Sequence, residues 1–215
     1  MPDVPSTWRM IHAGRTAMAD TIEDLTPAQW STDSLCDGWT VGHLAAHILA
    51  GAEQTGGHFA WGMLTTGFRF NALMERDLHD RAELSPAQIA DRLRQRTTTT
   101  NHPPAPVLAM LGEIVVHGED LRCPLGLPSW AAKDDALDAC LDMYVKATFP
   151  VGGKKRIEGL RLVTSDTGWS YGTGPEVCGP AISLLLAMTG RAAGSDDLAG
   201  EGAQTMRSRL GSQVS

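Results

Sequence analysis

From Pro106 to Leu121 the chain sets Val107, Met110, Leu111, Ile114 and Leu121 at helical spacing, and Glu113 and His117 flank the same apolar face. Side chains four apart on a helix point the same way. A carboxylate and an imidazole are therefore carried toward whatever element covers the stripe. An isolated carboxylate taken out of water is costly unless a partner meets it, so the covering element has to bring one. His47 is a candidate, because it lies beside a second stripe made by Val41, Leu44 and Ile48 in the segment GWTVGHLAAHIL. Two imidazoles and one carboxylate from facing helices make a His2Glu set for a divalent metal. Three protein ligands leave a coordination position open, which marks a catalytic zinc rather than a structural one. The competing reading pairs Glu113 with an arginine such as Arg122 and leaves His47 and His117 as hydrogen-bonded core histidines.

Neighbouring residues bear on that choice. His43 precedes His47 by four positions and offers an alternative histidine pair, as ligand or bystander. Asp120, three residues beyond His117, suits the acceptor that a metal-bound imidazole needs for its other N–H. The alternative for Asp120 is a solvated charge near a helix C-terminus, where it is mildly unfavourable. Lys154-Lys155-Arg156 reads as a solvated turn. Gly172-Thr173-Gly174-Pro175 lacks the third glycine of a dinucleotide fingerprint and carries a proline where a helix would open, so it reads as a hairpin loop. The four cysteines, Cys36, Cys123, Cys140 and Cys178, show no C-x-x-C spacing and no neighbouring base in sequence. They read as reduced, mostly buried thiols.

The first part of the chain has helical patterning. Trp8, Ile11, Met18, Ile22 and Leu25 predict a helix over about Thr7–Leu25. Thr26-Pro27-Ala28-Gln29 and Ser85-Pro86-Ala87-Gln88 each present a hydroxyl N-cap, proline at the first helical position and glutamine at the third. Gly56 and Gly57 interrupt the helix that carries His47, and the stretch between Gly51 and Arg69 reads as loop-rich. Four main helices result, closed by Leu125-Gly126-Leu127-Pro128. A linker-like helix with Leu137, Leu141 and Tyr144 then leads to a turn cluster, Pro150 to Lys155. Beyond it, Gly159–Thr164 and Trp169–Tyr171 alternate as a hairpin around Asp166-Thr167-Gly168, and Val177 adds a third strand. Helical patterning returns at Ile182, Leu185, Leu186 and Met188, stops at Gly190, and resumes weakly through Leu198 to Leu210. The expected organisation is an α+β chain: residues 1–128 as a metal-binding helix bundle and residues 129–215 as a small α+β domain.

Length and charge narrow the function classes. A chain of 215 residues with 42% hydrophobic residues can bury one good core or two small ones. The net charge is −7 and the basic residues are scattered, which argues against a nucleic-acid or anionic-membrane surface. No apolar run approaches the roughly 20 residues that span a bilayer, and the start lacks a signal-peptide pattern, so a cytoplasmic location is expected.

Taken together, Leu35-Cys36-Asp37-Gly38-Trp39-Thr40-Val41, Ala45-Ala46-His47 and Glu113-x-x-x-His117-x-x-Asp120 resemble the mycothiol-dependent maleylpyruvate isomerase family of the DinB-like metalloenzyme superfamily. Glu158-Gly159-Leu160-Arg161, Asp166-Thr167-Gly168-Trp169, Gly174-Pro175-Glu176-Val177 and Thr189-Gly190-Arg191 resemble its sterol-carrier-like C-terminal domain. The resemblance implies a DinB-like four-helix bundle holding a divalent cation, usually Zn2+, on His47, Glu113 and His117. It also implies a low-molecular-weight thiol, mycothiol, acting on a small electrophilic substrate by isomerisation or by S-transfer. The family often has an acidic residue where this chain has His43. Arg191 is the candidate catalytic residue that would hold a substrate carboxylate bidentately. The substrate is not inherited with the fold. The alternative is a non-catalytic, metal-holding DinB-like protein that binds a small molecule or a protein partner.

Overall fold

The computed structural model describes residues 2–129, 134–148 and 151–210. Its chain divides into two compact units, Asp3–Ala131 and Ala132–Ser215 with Met1–Pro2. The architecture is α+β: mostly helical, with one small sheet in the second unit.

The first unit holds α1 (Val4–Glu23), α2 (Pro27–Trp30), α3 (Val41–Glu53), α4 (Gly56–Thr65), α5 (Phe70–Ala82), α6 (Pro86–Arg94) and α7 (Val107–Arg122). Side-chain caps define most of their starts. Asp3, Thr26, Thr40, Thr55 and Ser85 each accept a backbone N–H three residues on, satisfying donors that the first turn leaves open. At Thr26 and Ser85 the glutamine returns the bond, so both predicted capping boxes form. The core is assembled from Met18 and Ile22 of α1, Leu44 and Leu49 of α3, Ile89 and Leu93 of α6, and Ile114 and Leu121 of α7. Each such buried side chain contributes on the order of 1.5–3 kcal/mol. This packing brings α3 and α7 together, and with them the polar residues at the margins of their stripes.

The loop-rich reading of Gly51–Arg69 is corrected. Here α3 runs on to Glu53, and α4 follows after two residues, capped by the Thr55 hydroxyl. Gly62 sits inside α4 because a Cβ there would lie 2.5 Å from Leu73 Cδ1, so the glycine lets α4 approach α5 closely. The first helix is shifted from Thr7–Leu25 to Val4–Glu23, since Asp3 supplies a better cap than any later residue.

The second unit contains α8 (Asp134–Tyr144), α9 (Gly153–Arg156), β1 (Arg161–Thr164), β2 (Ser170–Gly172), β3 (Glu176–Gly179), α10 (Ala181–Met188) and α11 (Ala203–Ser208). The hairpin pairs β1 with β2 antiparallel, Leu162 opposite Tyr171, and β3 joins β1 in parallel, Leu162 opposite Val177. The strand order is β2-β1-β3. Leu162, Thr164, Val177 and Gly179 are buried, and buried Leu184 and Leu185 of α10 supply apolar cover. Asp166 caps α10, accepting the Ala181 N–H at 2.9 Å. The expected turn cluster is partly a short helix, α9; its Pro150 lies outside the described residues. Lys154 and Lys155 are exposed, whereas Arg156 donates to the Val151 and Met188 carbonyls. Gly172 ends β2 and Gly174 follows it, both at positive φ, but the hairpin-loop reading of this segment is corrected: β2 and β3 lie on opposite edges of β1, so the glycines turn a connection between non-neighbouring strands.

Candidate metal centre

His47 lies in the middle of α3 and faces α7, where Glu113 and His117 are one turn apart. Oε2 of Glu113 is 3.6 Å from His47 Nε2 and 3.2 Å from His117 Nε2. The two imidazoles stand perpendicular, their centroids 5.2 Å apart. All three donor atoms lie within 4.8 Å of one another. Nitrogen and oxygen donors on a tetrahedral zinc sit about 2.0–2.2 Å from the ion, and hence roughly 3.3–3.5 Å apart. Small side-chain movements would therefore bring this set to coordination distance. The histidines are 14% and 16% exposed and Glu113 is 51% exposed, so the group opens to solvent on the carboxylate side.

Withdrawal from water opposes ionisation of Glu113, but hydrogen bonds from His117 and His47, with their charge, outweigh it and hold the carboxyl well below the usual carboxylate range. For His117, desolvation likewise opposes charge. Its bonds to Asp120, Cys36 and Glu113 win, and the imidazole is pushed well above its ordinary value.

The structure then shows what surrounds these donors. Asp120, at the last turn of α7, is fully buried and accepts from His117 Nδ1 at 2.9 Å. That bond puts a ring proton on Nδ1, so Nε2, which here hydrogen-bonds Glu113, is the nitrogen that a cation would take in place of its proton. Trp39 meets the His47 ring edge-on, with centroids 5.1 Å apart. His43 belongs to the cap of α3 instead: its Nδ1 accepts the Thr40 N–H at 3.3 Å while its own N–H goes to the Thr40 hydroxyl. A histidine in the third-position role of a capping box is unusual, and the Thr40-x-x-His43 spacing was its signal. Arg122 is also occupied elsewhere. It donates to the Thr21 hydroxyl at 2.7 Å and to the Ala17 and Gly118 carbonyls, so it is not the partner of Glu113.

Cys36 is the residue that sequence reasoning missed. Its Sγ lies 3.3 Å from Asp120 Oδ2 and 3.8 Å from His117 Nδ1. No local pattern announces a contact between residues 81 positions apart. None of the four cysteines is in a disulfide, and the expectation of mostly buried thiols is corrected: only Cys140 is buried, Cys36 and Cys178 are half-buried, and Cys123 is exposed. Burial pushes the Cys140 thiol up to about 12, and burial with the neighbouring Glu119 takes Cys123 to about 11. Arg191, just beyond α10 in the second unit, donates to the Thr189 carbonyl at 2.9 Å.

Comparison with known proteins follows from this geometry. The sequence profile of the mycothiol maleylpyruvate isomerase N-terminal domain matches residues 11–122, a stretch that contains Cys36, His47, Glu113, His117 and Asp120. No curated protein matches the chain. Among solved structures, a crystal structure of the mycothiol-dependent maleylpyruvate isomerase matches with a TM-score of 0.61, and that of a histidine-to-alanine mutant of it with 0.64. Identity is 14% in both cases, and 94% of each chain is covered. At that identity the likeness speaks for the fold.

Proposed function

The chain belongs to the mycothiol maleylpyruvate isomerase family, and from that premise we propose that it is a metal-dependent, thiol-using enzyme acting on a small electrophilic substrate. In this reading residues 1–128 are a DinB-like four-helix bundle that holds a divalent cation, Zn2+ by preference, on His47, Glu113 and His117. Residues 129–215 are its small sterol-carrier-like partner domain. The observation that supports this most is the convergence of two imidazole nitrogens from separate helices on one carboxylate oxygen, at 3.6 and 3.2 Å, on a side open to water.

The donor set fits the group. A cation bound there supplies Lewis acidity that favours the thiolate form of a thiol brought to its open position. The chain's own residues do the positioning. Asp120 fixes the tautomer that presents His117 Nε2, and Trp39 packs edge-on against His47. Glu113 supplies the negative charge that favours a divalent cation over a proton. Arg191 holds a carboxylate of the substrate by a bidentate pair. Mycothiol is the thiol cofactor, and the reaction is cis-trans isomerisation of the maleylpyruvate isomerase type or S-transfer to the electrophile, in a cytoplasmic setting.

Two experiments test the reading. Metal content is measured on protein purified without a histidine tag, wild type against His47→Ala and Glu113→Ala; stoichiometric metal in the wild type and its loss in both variants is expected. Retention of metal by the variants overturns the ligand assignment. The metal-loaded protein is then given mycothiol and a panel of electrophiles that includes maleylpyruvate. Isomerised substrate with thiol unconsumed marks an isomerase, and stoichiometric thiol loss marks a transferase. Neither change across the panel favours the non-catalytic binding protein. Arg191→Ala should raise KM for carboxylate-bearing electrophiles while leaving metal content unchanged.

A further inference from the structure

His117 is presented to two groups of donors at once. On its Nε2 side stand Glu113 and His47; on its Nδ1 side stand Asp120 and Cys36. We infer that Cys36 Sγ, His117 Nδ1 and Asp120 Oδ2 form a second metal position, suited to a thiophilic divalent cation, whose occupancy excludes the His47–Glu113–His117 position.

The geometry of the second group comes first. Sγ to Oδ2 is 3.3 Å, Nδ1 to Oδ2 is 2.9 Å and Sγ to Nδ1 is 3.8 Å. Sulfur at about 2.3 Å and nitrogen or oxygen at about 2.0–2.2 Å from a tetrahedral zinc give donor separations of roughly 3.3–3.6 Å. Each observed separation is within a few tenths of an ångström of that range. Two protons, one on Sγ and one on Nδ1, point at the same carboxylate oxygen. A divalent cation that takes the place of the Sγ proton, with the ring proton carried on Nε2, brings the cluster from one net negative charge to neutral, because a single proton departs as a 2+ ion arrives. The carboxylate is fully buried, and the thiolate is the soft ligand that favours zinc or cadmium over magnesium or manganese.

The position is also built in advance. The Leu35 N–H donates to the Asp120 carbonyl at 3.0 Å, tying the Cys36 loop to the last turn of α7. The Ser34 hydroxyl donates to the Trp39 carbonyl at 2.8 Å and accepts the Cys36 N–H at 3.1 Å. Gly38, at φ +76°, makes the turn between them. Cys36 is thus held opposite Asp120 by the loop's backbone and not by the thiol alone.

Exclusion follows from the chemistry of the ring. A neutral imidazole has one N–H and one lone pair. With the proton on Nδ1 and donated to Asp120, the lone pair serves the Glu113 side. With the proton on Nε2 and donated to Glu113 Oε2, 3.2 Å away, the lone pair serves Cys36 and Asp120. One tautomer fills one position and withdraws the ligand from the other. The exclusion, but not the second position itself, rests on the His2Glu reading proposed above.

Cobalt(II) is the probe, because thiolate ligation adds a sulfur-to-cobalt charge-transfer band in the near ultraviolet that nitrogen and oxygen ligands do not give. Metal-free full-length protein is titrated as wild type, Glu113→Gln, Cys36→Ser and the double variant, with thermal melts as folding controls. The expected result is one cobalt per chain in the wild type, a strong band in Glu113→Gln at one equivalent, and no band once Cys36→Ser is added. The absence of a band in folded Glu113→Gln overturns the second position, as does a band that survives Cys36→Ser. Two cobalt ions per wild-type chain overturn the exclusion. A Cys36-dependent band at full strength in the wild type, unchanged by Glu113→Gln, keeps the second position and rejects the His2Glu reading instead.

Discussion

Glu53 and Glu113 are both helix-borne glutamates at the edge of the same core, and they are satisfied in opposite ways. The Glu53 side chain, 9% exposed at the end of α3, is met by Arg81 at 3.0 Å, Arg92 at 2.7 Å and Arg96 at 3.8 Å. Glu113 on α7 meets imidazoles, His117 at 3.2 Å and His47 at 3.6 Å. Guanidinium groups stay charged at any working pH, and the fork geometry of Arg92, with both Nε and a terminal nitrogen on Glu53, closes the carboxylate off. Imidazoles can give up their protons and become ligands. A carboxylate surrounded by permanent cations is a fastener; one surrounded by groups that can be neutral has room for a metal.

Four substitutions sharpen or break the comparison. Glu113→Ala has the largest expected effect: metal affinity should fall by more than the roughly 10–100-fold typical of losing a supporting hydrogen bond, read by competition with a chromophoric chelator. The stability of the metal-free protein should change little, because the side chain is half exposed. Glu53→Ala should do the reverse, costing about 2–3 kcal/mol in urea denaturation and leaving metal affinity intact. That cost is set below the value for a fully buried pair because Arg92 and Arg96 are each about a third exposed. Asp120→Asn keeps an acceptor near His117 but removes the charge, and about a tenfold loss of metal affinity is expected from calorimetry. The smallest effect is assigned to His43→Ala, under about 1 kcal/mol of stability through the α3 cap with metal stoichiometry unaltered. Metal loss in that variant would return His43 to the ligand set.

What was legible in the sequence was local or periodic. The two T/S-P-A-Q boxes announced helix starts because capping chemistry is confined to four residues. Glu113 and His117 stood out because the stripe of α7 fixes which way they point. The three-stranded sheet could be read from alternation in its strands, although nothing local specified that β3 lies parallel to β1. The helix α4 was obscured by Gly56, Gly57 and Gly62, beside the Thr55 cap and the close approach of Leu73, both invisible to periodicity. The neighbourhood of Cys36 escaped for a similar reason. Its partners are brought to it by the clip between Leu35 and Asp120, a tertiary bond with no sequence signature.

That clip also supplies a gauge. The amide of Leu35 leans on the carbonyl of Asp120, whose carboxylate governs His117, so the exchange of that one proton reports whether the far rim of the centre is assembled. Its deuteration rate, followed with and without added cation, would register loosening of the α7 terminus long before the chain as a whole came apart.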